Sequence, residues 1–318
     1  MRALFVAVAL VLLAAGAEAQ PARKTIGVLL FSTPAGDANL TAFRRGLAEL
    51  GYVEGRNLDL LYRYAEGKPE RLPALAAELA AFSPDLIFAM GGDVAPFART
   101  ATSTIPIVIA VSNDPVQAGL VASLARPGGN ITGVTFVSSE LAAKRLQLLK
   151  QAMPGISRVA VIWNPDHVDP EYRETQAAGR VLGLRVQSLE VRRAGDFEDA
   201  FRAAAAEGAE ALIVVSSRLM TFNRRRILEF AARQRLPVIS GWGPWTEEGA
   251  LMSYGPDLNA IVQRAATHVD RVLKGARAAE LPIEQPTTHE LVINLRTARA
   301  LGLSIEPSLR AQATRTVD

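Results

Sequence analysis

The side chains best suited to catalysis or metal binding are sparse in this chain. Its three histidines, His167, His268 and His289, stand far apart, and no two share a metal-ligand spacing. Cysteine is absent, which removes disulfides, thiolate nucleophiles and cysteine-held metals. No Gly-x-Gly-x-x-Gly follows the first predicted strand, and neither a Walker loop nor a Gly-x-Ser-x-Gly elbow occurs. Acid pairs such as Glu247-Glu248 fall in a polar loop pattern, where adjacent carboxylates are ordinarily solvated. The densest basic run, Arg224-Arg225-Arg226, lies in a helical pattern and reads as a solvated face, not a nucleic-acid stripe. An enzyme is disfavoured on these grounds, and no cofactor or metal is implied.

What remains is a set of small polar residues at recurring positions. Ser32 and Thr33, then Gly91, Gly92 and Asp93, then Ser112, Asn113 and Asp114, each follow a short apolar run. Further along, Asn164 and Asp166, then Ser216, Ser217 and Arg218, then Gly241 and Trp242, do the same. Each alone is compatible with a cap or a turn. Their shared position after strands is the informative feature, because parallel α/β sheets bind ligands at the C-terminal ends of strands. Helix N-termini there present free N–H groups that receive a carboxylate. Trp242 and Trp245 flank Gly243-Pro244 in what reads as a loop, where a ring can stack on a flat ligand or pack on the hinge.

The elements that would position these residues follow a clear rhythm. Strands are expected at 25–31, 58–64, 85–90 and 107–111, with helices between them carrying apolar residues at spacings of three and four. Leu40, Phe43, Leu47 and Leu50 form one such stripe, and Leu72, Leu75, Leu79 and Phe82 another. After the turn signal Gly128-Gly129-Asn130 the rhythm restarts, with an extended segment at 131–136. Strands follow at 159–163, 185–191, 211–215 and 237–240, with helices at 141–153, 171–182, 197–206 and 222–234. The tail adds a helix at 258–273, a strand at 291–294 and a helix at 296–301. Two α/β series of similar size predict two Rossmann-like lobes with parallel sheets.

The 318 residues, 49% hydrophobic and 21% charged, suit a soluble two-domain chain. The N-terminus differs. Met1-Arg2, an apolar stretch to Ala15 and the small-residue site Ala17-Glu18-Ala19 read as a cleavable export signal spanning 1–19, cut between Ala19 and Gln20. The apolar stretch is too short to span a bilayer, and no cysteine follows it to carry a lipid.

Several long strings carry a family resemblance. Leu50-Gly51-Tyr52-Val53-Glu54-Gly55-Arg56-Asn57 and Tyr62-Arg63-Tyr64-Ala65-Glu66-Gly67 are two of them. Asp114-Pro115-Val116, Gly119-Leu120-Val121 and the stretch from Arg126 to Gly133 are others, as are Leu251-Met252-Ser253-Tyr254-Gly255, Leu273-Lys274-Gly275 through Pro282, and Glu290 through Leu303. In these the chain resembles the ABC transporter substrate-binding proteins of tryptophan/tyrosine type. The resemblance implies a type I periplasmic-binding fold, two lobes hinged by three crossing segments near Gly133, Ser253 and Pro282. Lobe 1 would comprise 24–133 with 254–281, and lobe 2 134–253 with 282–318. It further implies a periplasmic or secreted monomer that captures a small molecule, an amino acid or related small carboxylate, and delivers it to an ABC permease and its ATPase, touching the membrane only through that permease. Two other readings stay open: a ligand sensor that docks to a membrane receptor, and an α/β enzyme. The string Gly-Trp-Gly-Pro-Trp at 241–245 departs from the family pattern, so ligand transfer by analogy stops at that loop.

Overall fold

The computed structural model describes residues 23–35 and 37–318, so the expected export signal lies outside the described residues. The first series runs β1 (Lys24–Leu30), α1 (Ala38–Glu49), β2 (Leu58–Tyr64), α2 (Leu72–Ala81), β3 (Leu86–Met90), α3 (Ala95–Ala101), β4 (Ile107–Val111) and β5 (Ile131–Thr135). These strands form one all-parallel sheet of order β2-β1-β3-β4-β5. β3 and β4 are buried along their whole length, as strands covered by helices on both faces must be.

The second series runs α4 (Ala142–Ala152), β6 (Arg158–Trp163), α5 (Glu171–Val181), β7 (Arg185–Glu190), α6 (Phe197–Ala206), β8 (Ala211–Val214), α7 (Arg218–Phe222), α8 (Arg224–Arg233), β9 (Val238–Ser240), α9 (Gly243–Glu247) and β10 (Met252–Gly255). After α10 (Leu258–Leu273) come β11 (Glu290–Asn294), α11 (Leu295–Leu301), α12 (Pro307–Gln312) and β12 (Arg315–Val317). The second sheet has the order β12-β11-β10-β9-β8-β6-β7. Its pairings are parallel except one: β11, lying between β10 and β12, meets β10 antiparallel.

Three passages join the lobes. The chain leaves the first sheet after Thr135, and leaves the second after Gly255 to lay α10 across α1 and strands β3 to β5. The third passage is tied to the first: Glu284 N donates to Gly133 O at 3.0 Å, and Thr135 N to Glu284 O at 2.9 Å. His268 of α10 holds Pro282 O through Nε2 at 3.1 Å.

Two local expectations change. The segment 216–222 is not one loop feeding one long helix. Ser217 accepts from Met220 N at 3.2 Å and caps a short helix, α7, which Asn223 separates from α8. Trp245 likewise belongs to α9 and not to a loop: Pro244 in the first turn presets the helical φ, and the ring is buried at 2% exposure.

Candidate ligand-binding site

The C-terminal ends of β1, β3 and β4 in lobe 1 face those of β6, β8 and β9 in lobe 2. Between them lies a small cavity of about 20 Å³, room for about one water molecule. Its wall is largely apolar, from Met90, Ala110, Val111, Phe136, Leu258, Ile261 and Val262. Its polar edge comes from Asn39, Gly91, Gly92, Ser112 and Arg218, with Trp242 between the two. Trp242 meets Phe136 edge-on at 6.4 Å between centroids. A wider, outer space of about 500 Å³, within the range of small-molecule pockets, shares Asn39, Arg218, Trp242 and Leu258, and opens past Ser32, Phe222, Arg224, Glu247 and Glu248.

Three buried donors on these walls have no partner in the protein: Ser32 Oγ, Arg218 Nε and Trp242 Nε1. Ser32 belongs to lobe 1, the other two to lobe 2. Buried N–H and O–H groups are nearly always satisfied, and all three of these line the outer space, so they mark where an acceptor-rich group fits there.

The remaining expected residues divide. Asp93 lies at the seam, its carboxylate accepting from Arg218 N at 3.0 Å and Leu219 N at 3.2 Å. Ser112 and Asn113 also lie on the seam: Ser112 Oγ donates to Ser216 O at 3.2 Å, and Asn113 Nδ2 to Val168 O at 3.0 Å. Ser216 and Ser217 are buried, Ser217 as the α7 cap. Thr33 is half-buried and lines neither space. Three residues are engaged elsewhere. Asp114 accepts from Val116 N and Gln117 N of its own turn. Asn164 accepts from Asp166 N, a local Asx turn. Asp166 is exposed and pairs with Arg192. A side-chain oxygen two residues from a free N–H finds it before it finds a ligand, which is why these strand-end positions diverge.

Beside the cavity runs a polar network that strand-end reasoning missed. Arg145 of α4 and Glu171 of α5 form an ion pair at 2.6 Å with both side chains fully buried. Arg145 also donates to Tyr254 O at 2.8 Å and to Ser138 Oγ at 2.9 Å, and Glu171 accepts from Ser216 N at 3.3 Å. His167 Nε2 lies 3.3 Å from Ser112 Oγ. Because that hydroxyl gives its proton to Ser216 O, it accepts from His167, which puts the imidazole proton on Nε2. Burial lowers the pKa of His167, so the ring is neutral. Burial, then the Glu171 charge, pushes the Asp169 carboxyl up to about 8. A sequence signal for the pair existed. Arg145 falls on the buried stripe of α4 with Ala142, Leu146 and Leu149, and Glu171 on that of α5 with Thr175 and Gly179. A charge inside an apolar stripe implies a buried partner.

Two parallel-dominated lobes on three crossing segments, with a cleft that takes polar groups from both, define a two-lobed solute-binding protein. The family model for ABC transporter substrate-binding proteins matches residues 25–317, and the chain belongs to that family. Among curated proteins it is 26% identical over 285 residues to the "Tyrosine-binding protein" of Clostridioides difficile (strain R20291), covering 88% of this chain and 81% of that one. Among solved structures it superposes with a TM-score of 0.85 on a conserved domain protein from Vibrio cholerae, 27% identical, covering 92% of this chain and 99% of that one. A Streptococcus pneumoniae ABC domain in complex with L-Trp shares the fold at 24% identity and TM-score 0.85, covering 93% and 100%. Against the ligand-free, open structure of a Clostridium difficile substrate-binding protein, 26% identical over 93% of this chain and 100% of that one, the score is 0.63. Among the described residues no helix is long and apolar enough to cross a membrane.

Proposed function

We propose that this protein captures an amino acid with an aromatic or large apolar side chain and delivers it to an ABC importer. The observation that carries this reading is the triad of unpartnered buried donors, Ser32 Oγ, Arg218 Nε and Trp242 Nε1, which all line the outer space. A carboxylate accepts from all three, and the apolar surface of the same space, from Phe31, Phe222 and Leu258, takes the side chain. The L-Trp-bound and tyrosine-binding relatives support the same ligand class. The ligand favours the closed lobes because its carboxylate contacts both, and it shifts the equilibrium only by that difference in affinity. The closed surface then addresses a permease and its ATPase. The reaction is binding without chemistry.

Calorimetry with L-tryptophan, L-tyrosine and tryptamine tests the reading. The two amino acids bind and tryptamine, which lacks the carboxylate, does not. Trp242→Phe keeps an aromatic ring and removes the indole N–H, so it weakens binding by about 12- to 160-fold, the loss of one hydrogen bond to a charged group. Equal binding of tryptamine, or no binding of either amino acid, rejects the carboxylate site.

A further inference from the structure

One set of direct protein contacts joins the lobes beside the cavity. They converge on α7, the five-residue helix of lobe 2. Its first side chain, Arg218, donates through Nη2 to Asp37 Oδ2 of lobe 1 at 2.6 Å, with the two side chains only 8% and 4% exposed. Its first backbone N–H groups, on Arg218 and Leu219, donate to the Asp93 carboxylate of lobe 1. Its last side chain, Phe222, meets Phe31 of lobe 1 edge-on at 5.9 Å. Each end of the helix rests on a glycine of lobe 1. A Cβ on Gly91 would overlap the Arg218 stem, and a Cβ on Gly67 would overlap the Phe222 ring. Both glycines have positive φ, +120° and +76°, so their backbone also disfavours any side chain.

We infer that α7 is a latch that holds the lobes closed without a ligand, with Asp37, Asp93 and the two glycine seats as its keeper. Three physical features support this. Opening the lobes strips Asp93 from the α7 N–H groups, parts the Phe222 ring from Phe31 and separates a charge pair whose geometry is already formed. The pair adds little net attraction, since burying charges costs desolvation, but it fixes one register: Arg218 without Asp37 in a closed seam is an uncompensated buried charge. The latch also acts on affinity, because a ligand that selects the closed form binds more tightly as more of the free protein is already closed.

The chain has no cysteine, so two introduced ones label cleanly. Spin labels at Glu70→Cys of lobe 1 and Glu229→Cys of lobe 2, both exposed positions, report the lobe distance in the ligand-free protein by pulsed dipolar spectroscopy. The expected result is a major short-distance population. Asp37→Asn preserves the acceptor that caps α1 while removing the charge that Arg218 needs. It lowers the closed-to-open ratio at least about tenfold, and separately Phe222→Ala lowers it by about 2- to 12-fold, with the circular dichroism unchanged. A ligand-free protein that is mainly open overturns the latch, and so do variants whose distance distribution matches the parent. No ligand enters this measurement, so its outcome is independent of whether amino acids bind.

Discussion

Asp169 and His167 face each other at the lobe seam, with Oδ2 and Nε2 3.8 Å apart, and titrate in opposing directions. Asp169 has its pKa raised from 3.8 to about 8 by burial and by Glu171, with Arg145 opposing. Its contribution to stability is therefore complete below the unfolded value and is lost as pH rises through about 8. His167 has its pKa lowered from 6.5, so its contribution holds above 6.5 and is lost as pH falls. The two slopes oppose just below 6.5, and above 6.5 only the Asp169 loss remains. Stability should fall by about 2 kcal/mol between roughly pH 6.5 and 8. Asp169→Asn keeps the oxygen that accepts from Glu171 N and should abolish that fall. Urea denaturation at both pH values checks it, and a parallel decline in the variant contradicts the assignment.

At the scale of elements, the fold depends on caps that also join neighbours. Asn294 ends β11 and begins α11. Its Oδ1 accepts from Thr297 N at 2.8 Å, and its Nδ2 donates to Thr246 O in α9, also at 2.8 Å, with the side chain fully buried. Asn294→Ala removes a cap and leaves a buried carbonyl without its donor. The expected cost is about 2–3 kcal/mol, read as a lowered urea midpoint at unchanged slope. A loss below about 0.5 kcal/mol would show that water replaces both bonds. The neighbouring elements show where local signals stop. The stripe of Leu40, Phe43 and Leu47 reports α1 because each is buried on one face. α7 and α9 have five residues each, too few to establish a helical period, and Ser217 and Pro244 were their only markers.

For the whole molecule, the export reading concerns residues ahead of the described fold. The site Ala17-Glu18-Ala19 predicts a mature chain beginning at Gln20. Intact mass of the exported protein should lack residues 1–19, and a product retaining them contradicts the cut. The first described strand begins at Lys24, so removal of that segment leaves both sheets intact.

The amino-acid sequence by itself determined the alternation of strands and helices, because burial on one face or two leaves a period in the chain. It also placed the polar clusters at the strand ends, since Gly91-Gly92 and Ser216-Ser217 interrupt apolar runs. Only the tertiary structure decided which of those residues meet. Asp37 and Arg218 are 181 positions apart, and Ser112 and Ser216 are 104 apart. No local pattern relates such pairs. They come together only after three crossing segments set one lobe against the other, and by then Asp114 and Asn164 have bonded N–H groups of their own turns. Arg145 and Glu171 belong to the same class: the stripes of α4 and α5 bury both charges, but the packing of one helix on the other supplies each with its partner.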